Sequence, residues 1–340
     1  MHEGTQAAMG MLKRLTARLD RFTVGLLAGV MLGIFLPCAG QAEQWFRQAT
    51  TIAIMLLFFL YGVKLSRSSV AEGLLNWRLQ GLTAFFTFVF FPAMAVLLRP
   101  ALEPLVTPGL YAGLIFVSVL PSTVQSSIAF TSIAGGNVPA AVCSASVSSL
   151  LGVFVTPLLT GLLLGASGGG PEMGADTLLQ ICRLILFPFL AGQLARPWLK
   201  GWIARRKALV SWTDQSTIWL VVYTSFSEAV LQGLWSRLPL PALGGVVLVC
   251  AVFLSIVLGA TYFAGHKLGF PRGDCIAIVF CGSKKSLATG VPMMGVIFAG
   301  SSMDTGAMVI PLILFHQIQL MTCAALARRW RSGAASAAGD

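Results

Sequence analysis

Charge is what this sequence is short of. Asp, Glu, Lys and Arg make up 10% of its 340 residues, where a soluble domain carries about 25%. With 56% hydrophobic residues, that excludes a soluble globular protein and leaves an all-α polytopic membrane protein. Acids are the scarcer sign, 12 Asp and Glu against 23 Lys and Arg. The net charge of +11 does not call for nucleic acid, because the basic residues cluster between apolar stretches, where membrane topology puts them. Metal-type cysteine pairs are missing: Cys38, Cys143, Cys182, Cys250, Cys275, Cys281 and Cys323 include no Cys-x-x-Cys. They fall mainly inside or at the ends of apolar stretches and read as small packing residues, with no disulfide framework and no metal site. A Gly-rich phosphate loop with a following Lys-Ser/Thr, a His-Glu-x-x-His and a Gly-x-Ser-x-Gly elbow are missing too. The sequence therefore points away from an enzyme, calls for no cofactor, and gives ATP-driven transport by this chain alone no site.

Long apolar runs are what it has. They fall at about 22–40, 49–65, 79–98, 110–134, 138–165, 177–197, 214–235, 242–264, 273–299 and 305–327, ten in all. The first could pass for a signal peptide, but the spans after it favour an uncleaved helix. Gly25, Gly29 and Gly33 are spaced by four, so they share one face and let another helix approach closely. With the N-terminus inside, Lys13, Arg14, Arg18, Arg21, Lys64, Arg67, Arg78, Arg196, Lys200, Arg205, Arg206, Lys207, Lys267, Arg272 and Arg328, Arg329, Arg331 all fall inside. Outside fall Arg47, Arg99 and Arg237, with Glu43, Glu103, Glu172, Asp176 and Asp304. That bias predicts both termini cytoplasmic.

The basic stretch near 198–213 divides the runs into two sets of five. In each set the fourth run is interrupted. Five spans per half is odd, so the halves have opposite orientation, and matching breaks point to an inverted repeat with a site where the broken helices meet. Pro121 breaks the fourth run, and Ser122, Thr123, Gln125, Ser126 and Ser127 follow. These side chains either repair the kink or coordinate a solute. The ninth run holds Phe280-Cys281-Gly282-Ser283-Lys284-Lys285-Ser286. A charge at the bilayer centre costs roughly 3 kcal/mol, so the lysines either face a cavity or partner, or end a helix at the membrane surface. In the fifth run Ser144 and Ser148 share a face, lining the crossing or packing closely. Glu228 is the one acid well within an expected span. It is expected to face the same cavity as Lys284 or Lys285, pairing with a lysine or relaying protons, or else to be hydrated at the outer interface. His316 reads as a hydrogen-bonded structural residue, outside the core of the site.

The proline-and-hydroxyl break, the serine-rich fifth run and Cys281-Gly282-Ser283-Lys284-Lys285-Ser286-Leu287-Ala288 resemble the bile acid:sodium symporter family, solute carrier family 10, and more narrowly its divergent bacterial branch with animal relatives. The resemblance spans roughly residues 15–330. It implies a panel of runs 1, 2, 6 and 7 and a core of runs 3–5 and 8–10, with runs 4 and 9 crossing at mid-membrane. It also implies sodium ions behind the crossing and an organic anion between panel and core. The glutamate and Gln-Asn pair of sodium-coupled members correspond to Phe280, Lys284 and Lys285, and their fourth-run Asn to Ser127. Ser126, Ser127, Ser144 and Ser148 are left as cation-site candidates, and one lysine could occupy a cation site with its own charge.

The expected organisation is a cytoplasmic segment 1–21, helices 1–6 over 22–197, a basic loop 198–213, helices 7–10 over 214–327 and a tail 328–340. The expected function is secondary transport of a small organic anion by alternating access in the bacterial cytoplasmic membrane. Sodium symport is an alternative, and a membrane regulatory protein is another. The expected substrate residues are Ser122, Thr123, Gln125, Ser126, Ser127, Glu228, Ser283, Lys284, Lys285 and Ser286. Sodium or protons are the possible coupling partners.

Overall fold

The computed structural model describes residues 21–64, 76–165, 179, 182–231, 233, 239–299, 301 and 303–336. The expected N-terminal segment up to Asp20, Arg67, Glu172, Asp176, Arg237 and the last four residues of the tail lie outside them.

Among the described residues every regular element is a helix. Helices lie over each of the apolar runs: α1 (Arg21–Phe35), α2 (Gln41–Lys64), α3 (Trp77–Leu97), α4 (Pro108–Val119), α5 (Val124–Ile133) and α6 (Val138–Gly165). Then come α7 (Phe187–Arg205), α8 (Lys207–Leu231), α9 (Leu240–Lys267), α10 (Arg272–Gly282), α11 (Leu287–Ile297) and α12 (Thr305–Ser336). Five of these, α2, α3, α6, α9 and α12, are long and apolar enough to cross a membrane, and the pair α4–α5, bent by 64°, makes a sixth candidate. The others fall short for visible reasons. α10 and α11 are 11 residues each, and α8 opens on the polar stretch Ser211 to Thr217.

The expected basic loop at 198–213 is not a loop. α7 continues to Arg205, Arg206 alone breaks it with φ −112° and ψ 39°, and α8 starts at Lys207. Leu, Lys, Ala and Arg are good helix formers, so these helices run on past their apolar parts.

Two groups of helices follow from the packing. α1, α2, α7 and α8 pack on one another, chiefly as α2–α7, α1–α8 and α2–α8. α3 to α6 and α9 to α12 form the second group, tied by α4–α12, α9–α10, α5–α6 and α9–α12. The groups meet mainly where α8 touches α11 and α12. Glycine sets the closest approaches. A Cβ on Gly62 would strike the Phe189 carbonyl, and one on Gly192 the Phe59 carbonyl, so α2 and α7 touch backbone to backbone. Gly25, Gly29 and Gly33 put α1 against Trp219, Tyr223 and Phe226 of α8.

α3 carries a π-helical turn, Phe86–Phe90, in which the Phe91 amide donates to the Phe86 carbonyl. The next donor in that register would be residue 92, a proline without an N–H. The Thr87 carbonyl is thereby left without a helical partner.

Candidate functional site

The two broken helices cross. α4 ends where Leu120 turns extended, with ψ 150°, because Pro121 cannot continue the ladder. α5 restarts behind the N-cap residue Thr123. α10 ends at Gly282, and α11 restarts behind Ser286, whose Oγ accepts from the Thr289 amide at 3.2 Å. At the crossing the Ser286 amide donates to the Pro121 carbonyl at 2.9 Å, and Ser127 Oγ donates to the Phe280 carbonyl at 3.0 Å. Small residues admit the approach: Gly152 faces the Pro121 ring and Gly290 faces Leu120.

The first turns of α5 and α11 line one cavity of about 450 Å³ together with α2, α6, α8 and α12. Thr123, Ser126, Ser146, Ser149, Ser286 and Thr289 supply it with hydroxyls, and Gln125, Gln215 and His316 with further polar groups. At its edge Lys64 Nζ meets Asp214 Oδ2 at 2.7 Å, joining the end of α2 to the start of α8. Tyr61 Oη donates to the Ala288 carbonyl at 3.4 Å, which ties α2 to the start of α11. Both half-helices direct their N-terminal ends, with unsatisfied N–H groups and the positive end of the dipole, at this space.

A second, smaller cavity of about 150 Å³ lies at the opposite ends of the same helices. α2 lends it Arg47 and Thr51, α8 lends Val221 and Glu228, and α11 lends Gly295. Between the two lie Phe58, Ile218, Val221, Val291 and Met294, all buried in the main apolar core.

Of the expected substrate residues, Thr123, Gln125, Ser126 and Ser286 reach the large cavity. Ser122 is buried, its amide donating to Ser148 Oγ at 2.9 Å and its hydroxyl 3.3 Å from Ser127 Oγ. Ser283 Oγ donates to its own helix at the Val279 carbonyl. Lys284 and Lys285 are both 0% exposed and line neither cavity. Their expected pairing with Glu228 does not occur. Glu228 meets Arg47 at 3.2 Å, with 40% of its side chain exposed, in the small cavity. The reason is position: Glu228 lies ten residues, about three turns, beyond Ile218, the last residue of α8 that lines the large cavity.

The lysines have other surroundings. Lys285 Nζ donates to the carbonyls of Thr87, Ser118 and Leu120 at 2.7, 2.6 and 2.9 Å. Its backbone is clamped from α12, the Lys285 amide donating to Gln319 Oε1 at 2.9 Å and Gln319 Nε2 donating to the Lys285 carbonyl at 2.8 Å. Lys284 Nζ has no hydrogen-bond partner among the described residues and lies 3.7 Å from the centre of the Phe130 ring and 5.8 Å from that of Phe280. Of the cation-site candidates, Ser126 Oγ is 2.7 Å from Thr123 Oγ1, Ser148 Oγ accepts from the Ser122 amide, Ser127 Oγ is 3.3 Å from Ser122 Oγ, and Ser144 Oγ is buried without a hydrogen-bond partner among the described residues. His316, read from the sequence as a hydrogen-bonded structural residue outside the core of the site, is 3.1 Å from Gln319 Nε2 and also lines the large cavity, while Tyr61, Lys64, Asp214 and Gln319 are residues the sequence reading did not place in a site. Asp214 carried the one available signal, an acid at the edge of an apolar run.

Residues 20–332 match the SBF-like CPA transporter family. A Pseudomonas aeruginosa protein, PA2026, is 56% identical over 313 residues, 92% of each chain. The Escherichia coli protein named "Putative symporter YfeH" is 48% identical over 92% of this chain and 93% of its own. Sodium/bile acid cotransporter 7-B of Xenopus laevis is 30% identical over 92% of this chain and 91% of its own. A helical multi-pass chain with two broken, crossing helices and this degree of likeness belongs to the SBF-like CPA transporter family, among the relatives of the bile acid:sodium symporters.

Proposed function

We propose that this protein is a secondary transporter of a small organic anion, working by alternating access. The observation that carries the reading is the large cavity, about 450 Å³, on which the starts of α5 and α11 converge. A pocket of that size suits a small organic ligand. Helix starts favour negative charge, and paired half-helix starts at a mid-membrane break are a usual place for an anionic group. Thr123, Gln125, Ser126 and Ser286 are the proposed polar contacts. The attraction for negative charge then rests on the helix starts, because Lys64 at the cavity's edge is already paired with Asp214, and Lys284 and Lys285, which the sequence reading had placed among the substrate residues, line neither cavity. In the proposed cycle α1, α2, α7 and α8 form a panel, and the other helices a core that moves against it. The ten helical runs would be ten spans in two inverted sets of five, with both termini cytoplasmic. The large cavity would then open inward, because Lys64 and the basic α7–α8 joint lie at its end.

Sodium symport is the second reading. The name of the frog relative favours it, as does the presence of the Ser148 hydroxyl on the Ser122 amide and of the Ser127 hydroxyl on the Ser122 hydroxyl. These oxygens come without a carboxylate of their own.

The test is ligand-dependent stability followed by uptake into proteoliposomes, with cholate, benzoate, succinate and a sulfated steroid as probes. At least one anion should raise the unfolding temperature saturably; RT ln(1 + [L]/Kd) gives about 2.7 kcal/mol at 100 Kd. That anion should be taken up, and Ser126→Leu, which fills the cavity beside the α5 start, should abolish both effects at normal expression. An unchanged response in Ser126→Leu would remove the site from this cavity.

A further inference from the structure

Lysine ammonium has three N–H donors, and neutral lysine amine has two. Lys285 faces three carbonyl oxygens at 2.6–2.9 Å, and among the described residues its Nζ meets no other polar acceptor. The geometry therefore requires the charged form. Each acceptor is free for a reason written in the chain. The Thr87 carbonyl loses its π-register donor to Pro92. The Ser118 carbonyl loses its helical donor because the Ser122 amide turns to Ser148 Oγ instead. The Leu120 carbonyl belongs to the extended residue at which α4 stops. The last two also form the negative end of the α4 dipole. The Phe91 ring, 4.5 Å from Nζ, closes the site with its negative face.

We propose that these three carbonyls form a cation site that the protein fills with its own Lys285 side chain. The ammonium is a resident, non-dissociating cation that joins α3, the end of α4 and the α10–α11 break, so the core needs no bound metal ion at this point to hold its crossing together. Its bearing on ion coupling rests on the transporter reading; the site itself does not.

The experiment reads stability of the purified full-length protein, not transport, so a failed site and a failed transporter reading are told apart. Unfolding temperature is measured in choline chloride and again with sodium or ethylammonium at equal ionic strength. The unaltered protein should show no ethylammonium-specific change, and its sodium response, which reports on any cation site elsewhere, serves as the baseline for the variants. Lys285→Ala should unfold about 5 °C or more lower and recover part of that loss saturably with ethylammonium, which restores a small donor cation. Lys285→Met, which refills the volume without donors, should be destabilised and show no rescue. A saturable ethylammonium-specific rise in the unaltered protein, which would mean that the site is not already filled, would overturn the proposal, and that measurement stands even if Lys285→Ala cannot be purified. So would Lys285→Met as stable as the unaltered chain, or Lys285→Ala indifferent to ethylammonium.

Discussion

A lysine ammonium has three protons to place. At Lys285 all three face carbonyl oxygens, while at Lys284, one position earlier, the ammonium faces the Phe130 ring. A cation–π contact offers about 2 kcal/mol when desolvated, which falls short of the several kcal/mol that burying an ion costs. The two residues should therefore respond to the same substitution with opposite signs. Lys284→Met is expected to leave thermal stability unchanged or raise it, where Lys285→Met lowers it. Unfolding curves of the two variants side by side decide this, and equal losses at both positions would end the distinction. The sequence did single out these lysines, since charge inside an apolar run demands an explanation. It did not reveal their partners, because every residue has a carbonyl and nothing in the side-chain string marks which ones a proline has freed. Of the two readings of Glu228, pairing with a lysine fails for a related reason, while the hydrated one agrees with its 40% exposed side chain: its partner is Arg47, a residue that reads as an ordinary loop cation until α2 and α8 are laid side by side.

Helices meet here through glycine, and only some of those meetings leave a pattern. Gly25, Gly29 and Gly33 repeat at helical spacing and pack on α8, so their face was legible. Gly62 and Gly192 are not part of such a stripe. Each meets the carbonyl opposite the other, Phe189 for Gly62 and Phe59 for Gly192, and the pairing exists only once α2 and α7 are docked. A Cβ there has no room, because backbone cannot yield as a flexible side chain does. Gly62→Ala should thus destabilise the fold by about 1–3 kcal/mol. Gly81→Ala, on α3 with nothing within 4 Å, should be neutral or stabilising by up to about 1 kcal/mol through helix propensity. Yield and unfolding temperature report both, and a tolerated alanine at 62 would mean that α2 and α7 are not held at this distance. The π turn of α3 was equally invisible to hydropathy. Pro92 announces a disturbed helix, but the choice of an i−5 register over a plain kink depends on what occupies the freed carbonyl.

Across the whole molecule, four helices, α2, α8, α11 and α12, carry both cavities at opposite ends. α2, α8 and α11 line the large one with Tyr61, Asp214 and Thr289 and the small one with Arg47, Glu228 and Gly295. The two breaks and the order of the helices were readable from the sequence, since they follow from local hydropathy and from Pro and Gly, although α7 and α8 run on past their apolar stretches. Which ends of which helices share a cavity was not, because that is a product of packing between segments far apart in the chain. The lining predicts how the molecule would move. α8 packs with α1 and α2, and α11 with the core, so opening the small cavity requires α11 to separate from α8 where Gly295 faces Val221. A Cβ on Gly295 would stand 3.4 Å from Val221 Cγ1, the position a sulfur takes in Val221→Cys, so two thiols placed here come within bridging reach. The double variant Val221→Cys with Gly295→Cys should therefore cross-link on oxidation and hold the small cavity shut. The oxidised protein is expected to keep anion-dependent stabilisation through the large cavity while uptake stops, and a reductant should restore uptake. Lost binding with lost uptake would point to a distorted site, and unabated uptake in fully cross-linked protein would show that α8 and α11 do not part during transport. Only a cycle in which the apolar layer around Val221 and Met294 opens on one side at a time joins intact binding to blocked movement, because substrate could still enter at Thr123 and Ser286 and have no way past the closed end.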